Sequence, residues 1–290
     1  MLIRRQMVTI GVVLFLLSIT SCAFFSEYSK LERSAREAYG RADYDTAVYM
    51  LANSLQINQS YEKSQTLIAD AFLMANRVRD NRIQELEASK KQFKYDSLVR
   101  EYQSLMNLHD AVKVLPPIRH PKTSVVLEFT IIDYSDNLKN AKEMAAESHY
   151  VAGESLSNSE SMDDQKAAAK EFKRALGFVT SYKDAEERYT SSRKAGIKRV
   201  AVFPFEDLSG KRKRYGSIEA FVVDQMVSSI MKDPSATEFL ELVSRDQLDR
   251  VLAEQKLGLT GMVNEETAME VGAILGVHEI ITGKITQIIY

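Results

Sequence analysis

Cysteine is almost absent from this chain: its 290 residues include one, Cys22, and no tryptophan. A single thiol excludes an internal disulfide and a cysteine-rich zinc site. Beyond Phe25, no apolar run approaches the roughly 20 residues that a membrane-spanning helix needs. The 38 lysines and arginines nearly balance the 40 aspartates and glutamates. The chain therefore lacks the strongly basic character of a nucleic-acid-binding protein.

The N-terminus has the parts of an export signal: basic residues, an apolar stretch from Met7 to Ile19 and small residues before Cys22. Ile19-Thr20-Ser21-Cys22 resembles a bacterial lipobox. In such signals the thiol receives a diacylglycerol, and cleavage makes the cysteine the first residue. The alternative is an uncleaved membrane helix with an incidental cysteine, since apolar character continues through Phe25. Both interpretations place the protein on a membrane and outside the cytoplasm.

We predict that residues 1–21 are a lipoprotein signal peptide and that Cys22 is lipidated. A lipobox protein carries three acyl chains, and more than one chain anchors a protein stably. Ala23 and Phe24 stand where some inner-membrane lipoproteins carry a retaining aspartate. The expected location is the bacterial cell envelope, on the outer membrane and facing the periplasm.

Residues 22–195 are predicted to form an all-α body of helical hairpins. Small and apolar residues recur at helical spacing in pairs of neighbouring stripes. The first pair is Ala35, Ala38, Tyr39 and Ala42 followed by Tyr44, Ala47, Val48, Leu51 and Leu55; the second is Ala141, Met144, Ala145, Ser148 and Ala152 followed by Ala168, Phe172, Ala175, Leu176 and Val179. These pairs resemble tetratricopeptide repeats, but their separation is not a multiple of the roughly 34-residue period, so the repeats are degenerate or interrupted.

Helices are predicted at about 61–90 and 93–113, with an interruption near 114–134. The second helix stops at two prolines, because proline lacks the donor that a helix needs. Thr123–Ile132 is rich in β-branched residues and is predicted to be extended. The polar stretch Ser155–Asp164 is predicted to be a loop. The hairpins have two interpretations, a concave partner-binding face or a spacer.

From residue 196 to 290 the pattern changes to a small layered α/β domain. Three strands are predicted at Arg199–Phe205, Glu238–Val243 and His278–Ile289. A helix is marked by Ile218 to Ile230, and a second opens at the capping box Ser244–Gln247. A third helix is predicted to begin after Asn264 and to end at Gly276.

Several blocks in this region recur in a fixed order. They are Val200–Gly210, Val243–Gln255, Gly258–Gly261, Gly272–Gly276 and Ile281–Gly283. This order resembles the curli secretion channel (CsgG) superfamily over about residues 198–290. The resemblance implies an α/β fold and an exported lipoprotein. The predicted fold class is therefore α+β and multi-domain.

In the channel members of that superfamily, membrane-crossing hairpins follow the strand that aligns with Gly283–Tyr290. A spanning strand needs about 9–11 residues of alternating polarity, and no such hairpin is found between Lys198 and Tyr290. The domain is expected to be incomplete at its C-terminus and unable to line a pore. A related branch binds and activates peptidoglycan synthases without forming pores.

Sequence motifs for catalysis or metal binding are absent. The four histidines lack metal-ligand spacing, and no nucleophile elbow or phosphate-binding glycine loop is present. We therefore expect that the protein is not an enzyme and that it binds no cofactor. The basic cluster Lys211, Arg212, Lys213 and Arg214 is a candidate contact for lipid headgroups, glycan or an acidic partner, or else a solvated loop.

The last strand is a candidate docking edge. Ile281, Ile285 and Ile289 lie on one of its faces, and isoleucines also lie on the other. A strand that is apolar on both faces requires burial on both sides. A second subunit, a partner strand or further sequence would cover it. The alternative is that the helical body folds back over it.

The predicted function is a membrane-tethered, non-enzymatic binding and assembly scaffold in the periplasm. Its expected partners are the membrane, through the lipid, and other envelope proteins, with self-association as an option and nucleic acid excluded. The alternative functions are a component of an outer-membrane secretion apparatus of the curli type and an activator of a cell-wall synthase.

Overall fold

The computed structural model describes residues 27–203, 205–209, 218–254 and 265–287. The chain divides into two compact units, Met1–Ala145 and Ala146–Tyr290. The sheets belong to the second unit, and the predicted α+β class is confirmed. Within the described ranges, no helix combines the length and the apolar character needed to cross a membrane.

The first unit is built from helices. They are α1 (27–40), α2 (Tyr44–Ile57), α3 (Glu62–Ala88), α4 (Lys94–Lys113) and the first part of α5 (Ser135–Ser157). The corner between α1 and α2 contains Ala42, whose φ is 60°. Asp43 caps α2, because its carboxylate accepts the N–H of Thr46 at 3.4 Å. The predicted helices are confirmed, and their assignment to tetratricopeptide-like repeats stays a prediction.

Small side chains dominate the contact between α1 and α2. Ala35 and Ala38 of α1 are fully buried in one cluster with Ala47 and Leu51 of α2. Since alanine carries only a Cβ, the two backbones approach closely. The stripes seen in the sequence are therefore the core faces of this hairpin.

An ion cluster joins three helices of the first unit. Arg79 of α3 donates from Nε to Asp45 Oδ2 of α2 at 3.0 Å, and its guanidinium also binds Glu101 of α4. Arg82, one turn further along α3, lies 3.0 Å from the other oxygen of Glu101. The side chain of Glu101 is 7% exposed, so its charge depends on these guanidinium partners.

The interruption after α4 forms no sheet. Arg119 and Val126 make one antiparallel bridge, and the described residues from 127 to 134 belong to no strand. From residue 27 to residue 145 there is no strand to pair with this β-branched segment, so Leu127 and Phe129 pack on the helical core instead. The predicted strand is thus wrong as a ladder element. We call residues 127–134 the strap.

The second unit begins with the rest of α5, followed by α6 (Met162–Phe178) and α7 (Ala185–Ala195). The predicted loop Ser155–Asp164 is too long, since α5 continues to Ser157 and only 158–161 lie between the helices. Side-chain hydrogen bonds stabilise this short connection. Ser161 caps α6 by accepting the N–H of Asp164 at 3.4 Å. Gln165 donates to the carbonyls of Ser157 at 2.8 Å and Ser159 at 2.6 Å.

The α/β part of the second unit alternates strands and helices. Its elements are β1 (Lys198–Val202), β2 (Glu206–Asp207), α8 (Ile218–Met231), α9 (Pro234–Thr237), β3 (Leu240–Leu242), α10 (Arg245–Glu254), α11 (Glu265–Leu275), β4 (Glu279–Ile281) and β5 (Lys284–Ile285). β1 is the centre of a parallel three-stranded sheet in the order β3-β1-β4. Val200 lies opposite Leu242 on one side and Glu279 on the other. β2 and β5 form a second parallel pair.

The predicted continuous strand His278–Ile289 is wrong, because it breaks at Thr282–Gly283 into β4 and β5. The ring of Phe205 covers the backbone here: a Cβ added to Gly283 would lie 2.4 Å from Phe205 Cε1. β1 likewise ends at Val202 rather than at the predicted Phe205. Val202 lies opposite Ile281, the last residue of β4, so the two paired strands end together. Backbone bonds continue across the break, from Phe203 N–H to the carbonyl of Ile281 at 2.8 Å and from Glu206 N–H to that of Gly283 at 2.9 Å.

The helical hairpin α6–α7 belongs to the same compact unit as the sheet. The sequence boundary at 195/196 marks where helices give way to alternating strands, whereas the compact units meet at Ala145–Ala146. As a boundary between independently folding domains, 195/196 stays a prediction.

Candidate functional site

A groove of about 470 Å³ opens at the carboxyl ends of β1 and β3. Val202 ends β1, and Val243 and Ser244 follow β3; the first two turns of α10 and one face of α8 complete the walls. In open α/β sheets, ligands bind in the crevice outside the carboxyl ends of the strands. The topology of the second unit therefore makes this groove the first candidate for a binding site.

The groove has an apolar floor and acidic walls. Leu248 of α10 is buried beneath it, held at the first turn of α10 where Ser244 Oγ accepts the N–H of Gln247 at 3.4 Å. This hydrogen bond confirms the N-cap at Ser244, one of the two bonds of the predicted capping box. Glu219, Asp224 and Asp249 also line the groove. The groove therefore combines an apolar floor with polar groups at its rim, as ligand-binding clefts do.

Helix α8 presents an unusual amount of apolar surface. Nine of its fourteen residues are apolar, and none of the fourteen, all within the described part of the chain, is buried. Phe221 is 63% exposed, and Met231 is exposed at the other end of the helix. Met269 and Ile274 of α11 are exposed in the same unit. Where exposed apolar side chains form a contiguous patch, they mark an interaction site, and α8 is the candidate for such a patch in this unit.

Glu238 ties the α6–α7 hairpin to the sheet. Its carboxylate accepts Lys173 Nζ at 2.7 Å and the hydroxyl of Tyr189 at 3.0 Å, and its carbonyl accepts Arg193 Nε at 3.0 Å. The hydrogen bond from Lys173 holds the pKa of the Glu238 carboxyl below its usual value. Burial, followed by the hydrogen bond to Glu238, raises the pKa of Tyr189. Since β3 begins at Leu240, two residues after Glu238, this contact holds the start of β3 against the hairpin.

Only some of the candidate residues predicted from the sequence lie in the described part of the chain. Ile281 ends β4 and Ile285 ends β5, both half-buried. Among the described residues β4 pairs only with β1, so its other edge carries no strand. The remaining candidates lie outside the described residues: Cys22, Lys211, Arg212, Lys213, Arg214 and Ile289. Within the described part, no three histidines, cysteines or carboxylates form a group that could hold a metal ion.

Residues 180–288 match the family model described as Curli production assembly/transport component CsgG. The C-terminal region of this chain is a CsgG-like domain. The match begins at residue 180 and so takes in α7, whereas the resemblance in the sequence began at about Lys198. The family is described by assembly and transport, and not by a catalysed reaction. No curated protein matches the chain.

The CsgG-like domain shows two features that sequence reasoning missed. One is the exposure of α8, for which the sequence predicted a helix and nothing about its burial. A signal was present, because apolar residues occupy Ala220 to Val223 without interruption and so surround the helix rather than forming one stripe. The other is the junction at Glu238, for which a lone glutamate at the start of a predicted strand gave no signal.

Proposed function

We propose that this chain is a membrane-tethered envelope lipoprotein whose CsgG-like domain is a non-enzymatic binding and assembly module. The observation that carries the proposal is the exposure of the apolar helix α8 beside the groove. The family match supports an envelope role in assembly or transport. The lipobox at Cys22 supports attachment through lipid to the periplasmic face of the outer membrane.

A protein partner explains the surface of α8 in energetic terms. Burying one large apolar side chain is worth about 1.5–3 kcal/mol, and α8 offers two, Phe221 and Met231, that are more than half exposed. Phe221 and Met231 lie ten positions apart, nearly three turns of helix, which is the length that a helical or extended partner segment would cover.

Crosslinking in the envelope tests this surface. With a photoreactive phenylalanine analogue at position 221, we expect a crosslinked species of discrete larger mass, because Phe221 would contact the partner directly. Introducing Met231→Asp into the same chain should reduce that species at least about tenfold, since a charge buried at an interface costs more than about 1.4 kcal/mol.

The matched control is Leu73 of α3, which is 58% exposed and lies in the other unit. The same analogue at position 73 should give no crosslink that Met231→Asp alters. The proposal is wrong if position 221 yields no crosslinked species while the protein is folded and membrane-bound.

The strand edge is the second part of the proposed surface. Ile285→Lys should remove the crosslink, or cause aggregation, because a charge on the apolar face of β5 opposes docking of another strand. Far-ultraviolet circular dichroism should show that the helices stay folded. If the variant keeps its solubility, oligomeric size and crosslinking, the strand is not a docking surface.

The basic cluster Lys211–Arg214 supports a contact with anionic groups near the lipid anchor. A second candidate function is a component of a curli-type secretion apparatus, which the description of the family favours. The crosslinked species separates the two functions. A secretion component should crosslink to a multi-subunit membrane assembly, and a scaffold to a soluble periplasmic partner or to its own copy.

A further inference from the structure

His109 of α4 connects the strap to the helical core of the first unit. Its imidazole is 2% exposed and uses both ring nitrogens. Nε2 lies 2.7 Å from Oδ1 of Asn76 on α3, and Nδ1 accepts the backbone N–H of Ile132 in the strap at 3.0 Å. The rings of Phe72 and Tyr134 lie 5.1 and 5.4 Å away.

The hydrogen bonds fix the protonation state of the ring. The side-chain amide of Asn76 donates to the carbonyl of Phe72 at 2.8 Å, which turns its oxygen towards His109. Nε2 must therefore carry the proton, and Nδ1 must be bare to accept from Ile132. His109 is held as the neutral Nε2–H tautomer, and a second proton would destroy the acceptor at Nδ1.

The strap has few other attachments. Of the backbone amides from 128 to 133, all in the described part of the chain, only that of Ile132 donates a hydrogen bond to the protein. Phe129 packs against Phe72 with ring centroids 5.4 Å apart, and Ile131 and Ile132 are exposed. Loss of the bond to His109 would leave the strap held by Leu127, Phe129 and its two ends.

We propose that His109 is a pH-sensitive latch: protonation of Nδ1 expels Ile132 N–H and releases the strap from α3 and α4. Release uncovers the faces of Phe72 and His109 that the strap now covers. In the latched state, the apolar surroundings of the ring disfavour the charged imidazolium. In the released state, water solvates the imidazolium.

The groups around His109 also favour a neutral imidazole in the latched state. Burial lowers the pKa of the imidazole, and it outweighs Asp80 of α3 and Asp110 of α4, which both favour the cation. In the strap, Tyr134 faces the ring and stays neutral, because burial raises the pKa of its hydroxyl. The released imidazole titrates near its ordinary value of about 6.5. The released form thus binds more protons, so the latch is stable above about pH 7 and weakens as the pH falls through that value.

Hydrogen–deuterium exchange on the full chain tests the latch. At about pH 7.5 the amide of Ile132 should be protected; at about pH 5, after correction for intrinsic rates, its protection should fall at least about tenfold. His109→Gln cannot gain a charge, so its Ile132 amide should exchange at the same corrected rate at both pH values. A nitrogen-15 titration of the wild-type imidazole should show the Nε2–H tautomer and the same midpoint as the exchange.

His120 provides the matched control, since its Nδ1 accepts only the N–H of Lys122 in an exposed turn at 3.3 Å. His120→Gln should keep the pH dependence of the strap. The inference is overturned if wild-type protection is unchanged at about pH 5, or if His109→Gln retains the wild-type pH dependence. If His109→Gln fails to fold, a wild-type titration in which Nδ1 protonates without a change in strap exchange overturns it equally.

Discussion

Arg79→Ala is expected to destabilise the first unit by about 2 kcal/mol, less than the roughly 3–5 kcal/mol for breaking a fully buried ion pair, because Arg79 is 24% exposed and Glu101 keeps its contact with Arg82. Glu101 would lose one of its two guanidinium contacts, and Asp45 would lose the bond that joins α2 to α3. Urea unfolding, followed by hydrogen exchange in peptides from α2 to α4, should show a lower midpoint at unchanged slope.

Arg82→Ala is the matched control, because Arg82 contacts the same carboxylate but its side chain is 66% exposed. We expect a loss of no more than about 1 kcal/mol for this variant. A double-mutant cycle between Arg79 and Glu101 should give a coupling energy of at least about 1 kcal/mol. Equal losses in the two arginine variants would show that the cluster is solvated and does not hold the helices together.

Gly153→Val is expected to destabilise the second unit by about 3 kcal/mol through overpacking. Gly153 lies in α5, and a Cβ at this position would be 2.8 Å from Cε1 of Phe172. Phe172 is fully buried and packs edge-on against Tyr150, with ring centroids 5.7 Å apart, so it has little room to move. Thermal unfolding monitored by exchange in α6 peptides measures the loss.

Gly177→Val in α6 is the control, since no atom lies within 4 Å of its added Cβ. This exposed site should tolerate valine with no loss, and with a gain of a few tenths of a kcal/mol from the higher helix propensity (~0.3). A similar loss at both sites would mean that backbone freedom, and not contact with Phe172, requires glycine at position 153.

The helices were predictable because their information is local. Ala35 and Ala38, or Leu51 and Leu55, lie on one face at helical spacing whatever their neighbours are. The capping box at Ser244 and the helix end at Gly276, whose φ is 60°, were predictable for the same reason. Each of these signals is complete within four or five residues.

The errors concern contacts between distant residues. Thr123–Ile132 has the composition of a strand, but strand formation needs a partner strand, and the described part of the first unit offers helices and one isolated bridge. The break at Gly283 depends on the ring of Phe205, 78 positions earlier in the sequence (283 − 205). The role of His109 likewise depends on an amide 23 residues away. No local pattern encodes such pairings.

The order of strands in the sheet sets the order in which the second unit can fold. β1, the central strand, bonds to β3 about 40 residues later and to β4 about 80 residues later. Helices such as α6 and α7 form from neighbouring residues and can assemble while the chain is still being made. The second edge of β1 stays unpaired until β4 has been synthesised. Its apolar residues Val200 to Val202 stay uncovered on one side until then, and they make the newly made protein dependent on whatever protects them.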